Sequence, residues 1–254
     1  MTTPSSIPFT KMQALGNDFV LLEKKDIKTP LNSAQIRWIA DRRQGIGCDQ
    51  VILINNSEKV APEISFYNAD GSEALACGNG TRCVAKYLGK ESGTLQTPSG
   101  PSTFKQKGDS IAISLKEPVF GPPLSLLHLL LEAHPLNIGN AHLVIFTDDL
   151  DSLSLESVAP FLQASEGVNV ELAQILSPTT IKAKVWERGV GITPACGSGA
   201  CAVGIIALKQ GLVRGPSVRI EMEGGVLEVE WEEGEVPFLT GPATYCFEGM
   251  VKLL

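Results

Sequence analysis

The apolar positions along the chain fall into a short plan that is written twice. Asn32 to Arg43 carries Ile36, Ile39 and Ala40 on one helical face, with Asn32 or Ser33 placed to cap it. Ser154 to Ala164 repeats the arrangement with Leu155, Val158, Ala159 and Leu162. Each predicted helix leads through a glycine to a predicted strand, Val51 to Ile54 in one half and Val168 to Leu172 in the other. A second strand follows in each, Ile64 to Tyr67 and Ile181 to Trp186, and then a Cys-Gly motif that opens a further helix. In the second of these helices Ala200, Val203, Gly204, Ala207 and Leu208 form an i, i+3, i+4, i+7, i+8 stripe, and Gly211 ends it. In the first, Val84, Tyr87 and Leu88 precede a terminating Gly89. A hairpin follows each helix. The clearer one alternates Val218, Ile220 and Met222 with charges, turns at Gly224-Gly225, and returns through Leu227, Val229 and Trp231. Tyr245 to Leu254 reads as a last strand returning to the first half.

Three landmarks tie the halves together. Ala76-Cys77-Gly78-Asn79-Gly80 recurs as Ala195-Cys196-Gly197-Ser198-Gly199 at an offset of 119. Gly16-Asn17 recurs as Gly139-Asn140 at an offset of 123, and Gly45 as Gly167 at 122. Three matches in the same order at nearly constant offset mark a degenerate internal duplication. The expected fold class is α+β, with two pseudo-symmetric domains, each a mostly antiparallel sheet wrapped around a central helix. The expected domains are 1–117 with 245–254, and 118–244.

Composition narrows the chemistry. A net charge of −7 at pH 7 argues against nucleic acid, whose phosphates need a basic face. The first residues, Met1 to Met12, lack the apolar stretch of a secretory signal. The longest apolar run, Leu124 to Leu131, is broken by Ser125 and His128 and is too short to span a bilayer. It has no clear period and is assigned to core or loop. A membrane partner is not expected. Six cysteines without a signal fit reduced thiols in the cytoplasm rather than a disulfide framework. Cys48, Cys83, Cys201 and Cys246 are read as small apolar filler. Metal binding is disfavoured because no Cys-x-x-Cys occurs. The six- and five-residue separations of Cys77/Cys83 and Cys196/Cys201 rotate side chains by about 240° and 140° on a helix.

Cys77 and Cys196 are different. At a helix start the first N–H groups lack internal partners and the dipole end is positive, so a thiol there is drawn toward thiolate. The same N–H groups can hold a carboxylate. Two such motifs related by duplication are expected to face each other across a cleft between the halves. That geometry suits inversion at a carbon acid: one thiolate removes the α-proton, and the opposite thiol reprotonates the other face. A non-catalytic amino-acid-binding protein would not need both cysteines. A redox protein using a reversible Cys77–Cys196 disulfide is a further alternative. A pyridoxal phosphate enzyme would need a marked Schiff-base lysine, and the sequence marks none.

Longer motifs add a resemblance. They include Leu15 to Val20, Gly45 to Gln50, Tyr67 to Glu73, Ala76 to Arg82, Gly139 to His142, Gly167 to Val170, Trp186 to Gly191 and Ala195 to Cys201. Over nearly its whole length the chain resembles the diaminopimelate epimerase family, cofactor-free enzymes of lysine and peptidoglycan biosynthesis that interconvert the LL and meso forms. The resemblance implies Cys77 and Cys196 as the two bases, with no cofactor and no metal. It implies backbone donors at Gly78-Asn79 and Gly197-Ser198 for the reacting carboxylate. Asn17, Asn68, Asn140 and Asn169, with Glu187 and Arg188, would grip the amino and carboxylate groups of a small amino-acid substrate, and Gln50 would line the site. His142 and Glu187 would adjust the thiols' proton affinities. A homodimer is implied as well. The chain departs from the family pattern at Ala141, where Pro is usual, at Ile192, where Glu is usual, and at Phe247, where Tyr is usual. The nearest rival is another racemase of this architecture, acting on proline, hydroxyproline or histidine.

Overall fold

The computed structural model describes residues 6–56, 60–126 and 131–252. The chain divides into two compact units, Met1–Ile113 with Pro242–Leu254, and Ser114–Gly241.

The first unit opens with antiparallel strands Ser6–Ala14 and Asn17–Glu23. Leu15 and Gly16 join them, both at positive φ (55° and 84°), the two-residue geometry that matches strand twist. Helix α1 (Ser33–Ala40) then crosses over to strand Gln50–Asn55, which runs parallel to Asn17–Glu23. Strand Glu63–Asn68 returns antiparallel. Helix α2 (Gly78–Tyr87) and the hairpin Ser92–Thr97/Gly100–Lys107 follow. The last strand, Thr244–Lys252, pairs antiparallel with Ser6–Ala14.

The second unit repeats this order. Strands Leu131–Asn137 and Ala141–Phe146 are antiparallel, helix α3 (Leu155–Glu166) crosses over, and Asn169–Ser177 runs parallel to Ala141–Phe146. Strand Thr180–Glu187 returns antiparallel, and helix α4 (Gly197–Lys209) leads to the hairpin Ser217–Met222/Gly225–Glu230. The α+β class and the doubled plan follow the pattern read from the sequence.

Each sheet is covered on both faces, which explains why its middle strands read as nearly unbroken apolar runs. Side chains alternate between the faces. In the first unit Val20, Leu22, Val51 and Leu53 pack with Ile36 and Ile39 of α1. Phe19, Ile52 and Phe66 point the other way, against Gly80 of α2. In the second unit Leu143, Ile145, Val170 and Leu172 pack with Leu155, Ala159 and Leu162 of α3.

Four local expectations need correction. Helix α1 stops at Ala40 rather than Arg43, because the Asp41 carboxylate accepts the N–H groups of Arg43 and Gln44 (both 2.7 Å) and turns the chain outward. The second-unit hairpin turns at Glu223-Gly224, with Gly225 already paired to Met222. Helix α4 has no exposed opposite face over most of its length: Gly197 and Gly199 through Ala207 are buried all round, so the apolar stripe understates its burial. Cys246 is exposed, unlike the buried Cys48, Cys83 and Cys201. The run Leu124 to Leu131 supplies the strand Leu124–Leu126 and the start of Leu131–Asn137; residues 127–130 lie outside the described residues, as do 253–254 of the last strand. Among the described residues no helix is long and apolar enough to cross a membrane.

Candidate active site

Each central helix begins with a cysteine in the capping position usually held by Ser or Asp. Cys77 caps α2 in an extended conformation (φ −153°, ψ 103°), and its sulfur accepts the Gly80 N–H at 3.4 Å. Cys196 caps α4 in the same way (φ −121°, ψ 116°), accepting from Gly199 at 3.4 Å. Both sulfurs therefore sit where the helix N–H groups and dipole favour an anion. Gly78 and Gly197 are the first residues of these helices.

The two sulfurs differ in their surroundings. Around Cys77, which is half-buried, lie Asn17, whose Oδ1 is 3.9 Å from the sulfur, and Asn79, whose Nδ2 donates to the same Oδ1 at 3.3 Å. Asn79 in turn accepts from Arg82 at 2.7 Å. Asn17 donates to Asp49 at 2.8 Å, and Asp49 is held by Arg42 at 2.9 Å. Beside it, burial would raise the Asp18 carboxyl, but Arg42, Lys11 and the Asp49 N–H outweigh burial and hold it far below the usual carboxylate range. Lys11 also donates to the Gly47 carbonyl. An ion-paired network thus fixes the turn that carries Asn17.

Cys196 is buried, and its company is acidic. Its sulfur lies 3.5 Å from the Ser198 hydroxyl. Ser198 accepts from Asn140 at 3.1 Å, Asn140 Oδ1 is 3.0 Å from His142 Nε2, and His142 Nδ1 is 2.6 Å from Glu171. Glu187 also bonds Cys196 and accepts from Thr193 at 2.5 Å. Burial pushes the Cys196 thiol well up, and the Glu187 and Glu171 carboxylates add to the shift. Burial likewise raises Glu187. In this state Cys196 is a thiol.

The remaining expected site residues form a hydrogen-bonded pair in each unit. Gln50 donates to Asn68 at 2.9 Å in the first unit. In the second, Asn169 accepts the Arg188 N–H at 2.8 Å, and the Arg188 guanidinium reaches the Gly167 carbonyl at 3.1 Å. Strand register makes Gln50 the counterpart of Asn169, since they face Phe19 and His142 in the two parallel pairs. Of the departures, Ile192 is exposed next to Thr193 and does not displace the Glu187 contact. Among the described residues, no three His, Cys, Asp or Glu side chains gather as metal ligands.

Sequence reasoning passes over Glu171 and Arg82. Glu171 is the one charge in Val168 to Leu172, and its Oε1 would lie 2.7 Å from a Cβ placed on Gly199. A charge enclosed between Val170 and Leu172 is the signal that points to it.

Comparison with known proteins gives the family and the fold. The family model for diaminopimelate epimerase matches residues 9–118 and 135–246. A diaminopimelate epimerase of Sphingopyxis alaskensis is 38% identical over 258 residues, covering 95% of this chain and 96% of that one. One from Gluconobacter oxydans is 41% identical, covering 96% and 98%. Among solved structures, a hydroxyproline epimerase from Agrobacterium vitis superposes with a TM-score of 0.73 at 12% identity, covering 100% of this chain and 94% of that one. A phenazine biosynthesis protein of the PhzF family from Bacillus anthracis gives 0.72 at 16%, covering 98% and 99%; at such identities the likeness is one of fold. With the family model matched in both halves and relatives aligned nearly end to end, the chain belongs to the diaminopimelate epimerase family.

Proposed function

We propose that the protein interconverts LL- and meso-diaminopimelate by a two-base proton transfer at one α-carbon, with Cys77 and Cys196 serving opposite faces and no cofactor. The observation that carries this reading is a cysteine at the N-cap of both central helices, each accepting a helix N–H. One sulfur, as thiolate, takes the α-hydrogen: the C–H bond breaks, an S–H bond forms, and the electron pair delocalises into the carboxylate. The other sulfur, as thiol, gives its proton to the opposite face and is left as thiolate. The α-carbon is a weak acid, so charge developing on the carboxylate needs fixed donors. The N–H groups of Gly78-Asn79 and Gly197-Ser198 supply them, each such donor being worth roughly 10²–10³-fold in rate.

Asn17 and Asn140 hold the reacting amino-acid end, each kept in place by the network behind it. Asn68, Asn169 and Arg188 suit the distal end, where a second carboxylate needs a cation, and Gln50 lines the site. Glu187 and His142 set the proton affinity of Cys196, Glu187 by direct contact and His142 through Asn140 and Ser198. The same reading makes the protein a cytoplasmic homodimer in lysine and peptidoglycan precursor synthesis. Exposed Tyr245, Phe247 and Met250 on the last strand support the dimer.

The test is turnover by the reduced protein without added cofactor, followed by chiral chromatography. Conversion of LL- to meso-diaminopimelate, with proline, hydroxyproline and histidine untouched, is the expected result. Inversion of one of those three with diaminopimelate untouched would move the substrate to the rival racemases. No inversion of any would overturn the reading.

A further inference from the structure

The pseudo-symmetric halves carry opposite charges behind their two thiols. In the second unit His142 and Glu171 occupy the strand positions that Phe19 and Ile52 hold in the first, by the register of the two parallel pairs. Glu171 lies against Gly199 of α4, as Ile52 lies against Gly80 of α2. The reverse exchange occurs on the helices. Five residues beyond its cysteine, α2 carries Arg82, whereas α4 carries Cys201. The first unit therefore buries a cation near its thiol, and the second buries carboxylates near its own.

Arg82 is 0% exposed. Its Nε donates to the Pro242 carbonyl at 3.3 Å and its Nη2 to Asn79 at 2.7 Å, while Nη1 has no hydrogen-bond partner. Among the described residues no carboxylate forms an ion pair with it, and the ionisable groups acting on it are Cys83 and Cys77. A guanidinium stays charged at neutral pH, and burial lowers this one only to about 10. A charge so deeply buried is costly unless an anion answers it. Cys83 is not that anion, because burial pushes its thiol far up and Cys77 and Cys246 add to the shift against Arg82 and Lys86. Asp18 and Asp49, next to Asn17, are engaged by Arg42 and Lys11. Cys77, at the helix N-terminus with the Gly80 N–H on its sulfur, is the group able to hold the negative charge.

We propose that Arg82 is the buried counter-charge of a Cys77 thiolate, a positioning residue that makes Cys77 the base of the resting enzyme. The inference rests on the two-thiol reading above. Arg82 also sets the orientation of the amides. A guanidinium only donates, so Asn79 turns its Oδ1 to Arg82 and its Nδ2 to Asn17. Asn17, whose Nδ2 is taken by the acceptor-only Asp49, then presents its Oδ1 on the side of Cys77, where it accepts the S–H formed once Cys77 has taken the α-proton. The chain of amides is pinned by a cation at one end and a carboxylate at the other. The isomer whose α-hydrogen faces Cys77 then reacts without a prior exchange of protons between the two sulfurs.

The test measures the thiol and not turnover. The reduced full-length protein, Arg82→Lys and Arg82→Met are alkylated with iodoacetamide from pH 5 to 10, and each cysteine is followed by peptide mass spectrometry. Exposed Cys246 is the internal control. The wild-type Cys77 profile is expected to lie below the ordinary thiol midpoint of about 8.5. Arg82→Met is expected to slow Cys77 about tenfold at pH 7 and move its profile upward, with Cys246 unchanged; Arg82→Lys is expected to restore most of the rate. A wild-type profile at or above the ordinary midpoint overturns the proposal, whether or not the Met variant folds. An Arg82→Met protein that melts like wild type with an unmoved Cys77 profile overturns it too. Because no amino acid is turned over in this assay, its outcome is separate from the fate of the epimerase reading.

Discussion

At the scale of single residues, a cysteine in an N-cap does the structural work of a serine while leaving a polarisable, ionisable sulfur on the helix axis. Both Cys77 and Cys196 accept from the third N–H of their helix, so replacing either removes a cap as well as a reacting group. The cap is worth about 1 kcal/mol, which leaves the fold intact. Loss of a positioned acid or base costs about 10²–10⁴-fold in rate. Cys77→Ala and Cys196→Ala are therefore each expected to melt within a few degrees of wild type and to lose turnover by at least about 10²-fold. A single variant that keeps a tenth of the wild-type rate would show that one thiol suffices. The pair is legible in sequence because Cys-Gly-x-Gly recurs at the repeat offset. Glu171 and Arg82 are less so. An alternating strand ordinarily sends its charges to water, and only a sheet covered on both faces buries Glu171; Arg82 sits on a helix whose every side is packed.

The elements that present these residues are fixed by ion pairs and caps at their ends. Asn32 closes a full capping box on α1, and Arg42 just beyond that helix grips Asp18 with two bonds of 2.7 and 2.9 Å. The Asp18 pair ties the Asn17 hairpin to the end of α1. Its carboxyl is depressed in the fold, so the stability it contributes is complete above its unfolded value of 3.8. That stability is lost as the pH falls below 3.8 toward the lower folded value. Asp18→Asn is expected to cost about 3 kcal/mol at pH 7, since it leaves the buried Lys11 without its carboxylate. The gap between variant and wild type should narrow as the pH is lowered from 4 toward 2, read by urea unfolding at each pH. A gap independent of pH would show that the pair contributes nothing through its charge. Element identity is legible from the periodicity, but element ends are not. Arg43 lies outside α1 because the Asp41 side chain captures the N–H groups of Arg43 and Gln44, a local competition that hydrophobic spacing does not record.

For the whole molecule, duplication explains why one plan appears twice, and divergence after it explains why the two thiols are not equivalent. The doubled order of strands and helices is visible in sequence because glycines and cysteines mark corresponding turns. The opposite buried charges are less visible: strand register equates Glu171 with Ile52, and the spacing that equates Arg82 with Cys201 does not say that Arg82 is buried. The final strand is a second feature at this scale. Phe247 packs edge-on against Phe9 at 6.0 Å yet remains 54% exposed, beside exposed Tyr245 and Met250. Large apolar side chains exposed together on one strand are expected to be covered by a second copy. Phe247→Glu should convert a dimer into a monomer in sedimentation-equilibrium experiments. A wild type that already sediments as a monomer would contradict the homodimer.

In the mechanism proposed above two sulfurs, not one, handle the proton. This is tested most directly by running LL-diaminopimelate with the reduced protein in deuterium oxide and stopping at low conversion. A two-base enzyme delivers its proton from a sulfur that the substrate never touched. The expected result is therefore meso product deuterated at the inverted α-carbon, with recovered LL substrate undeuterated. Recovered substrate that gains deuterium as fast as product forms would contradict it, because a single base would then be removing and returning the proton on both faces.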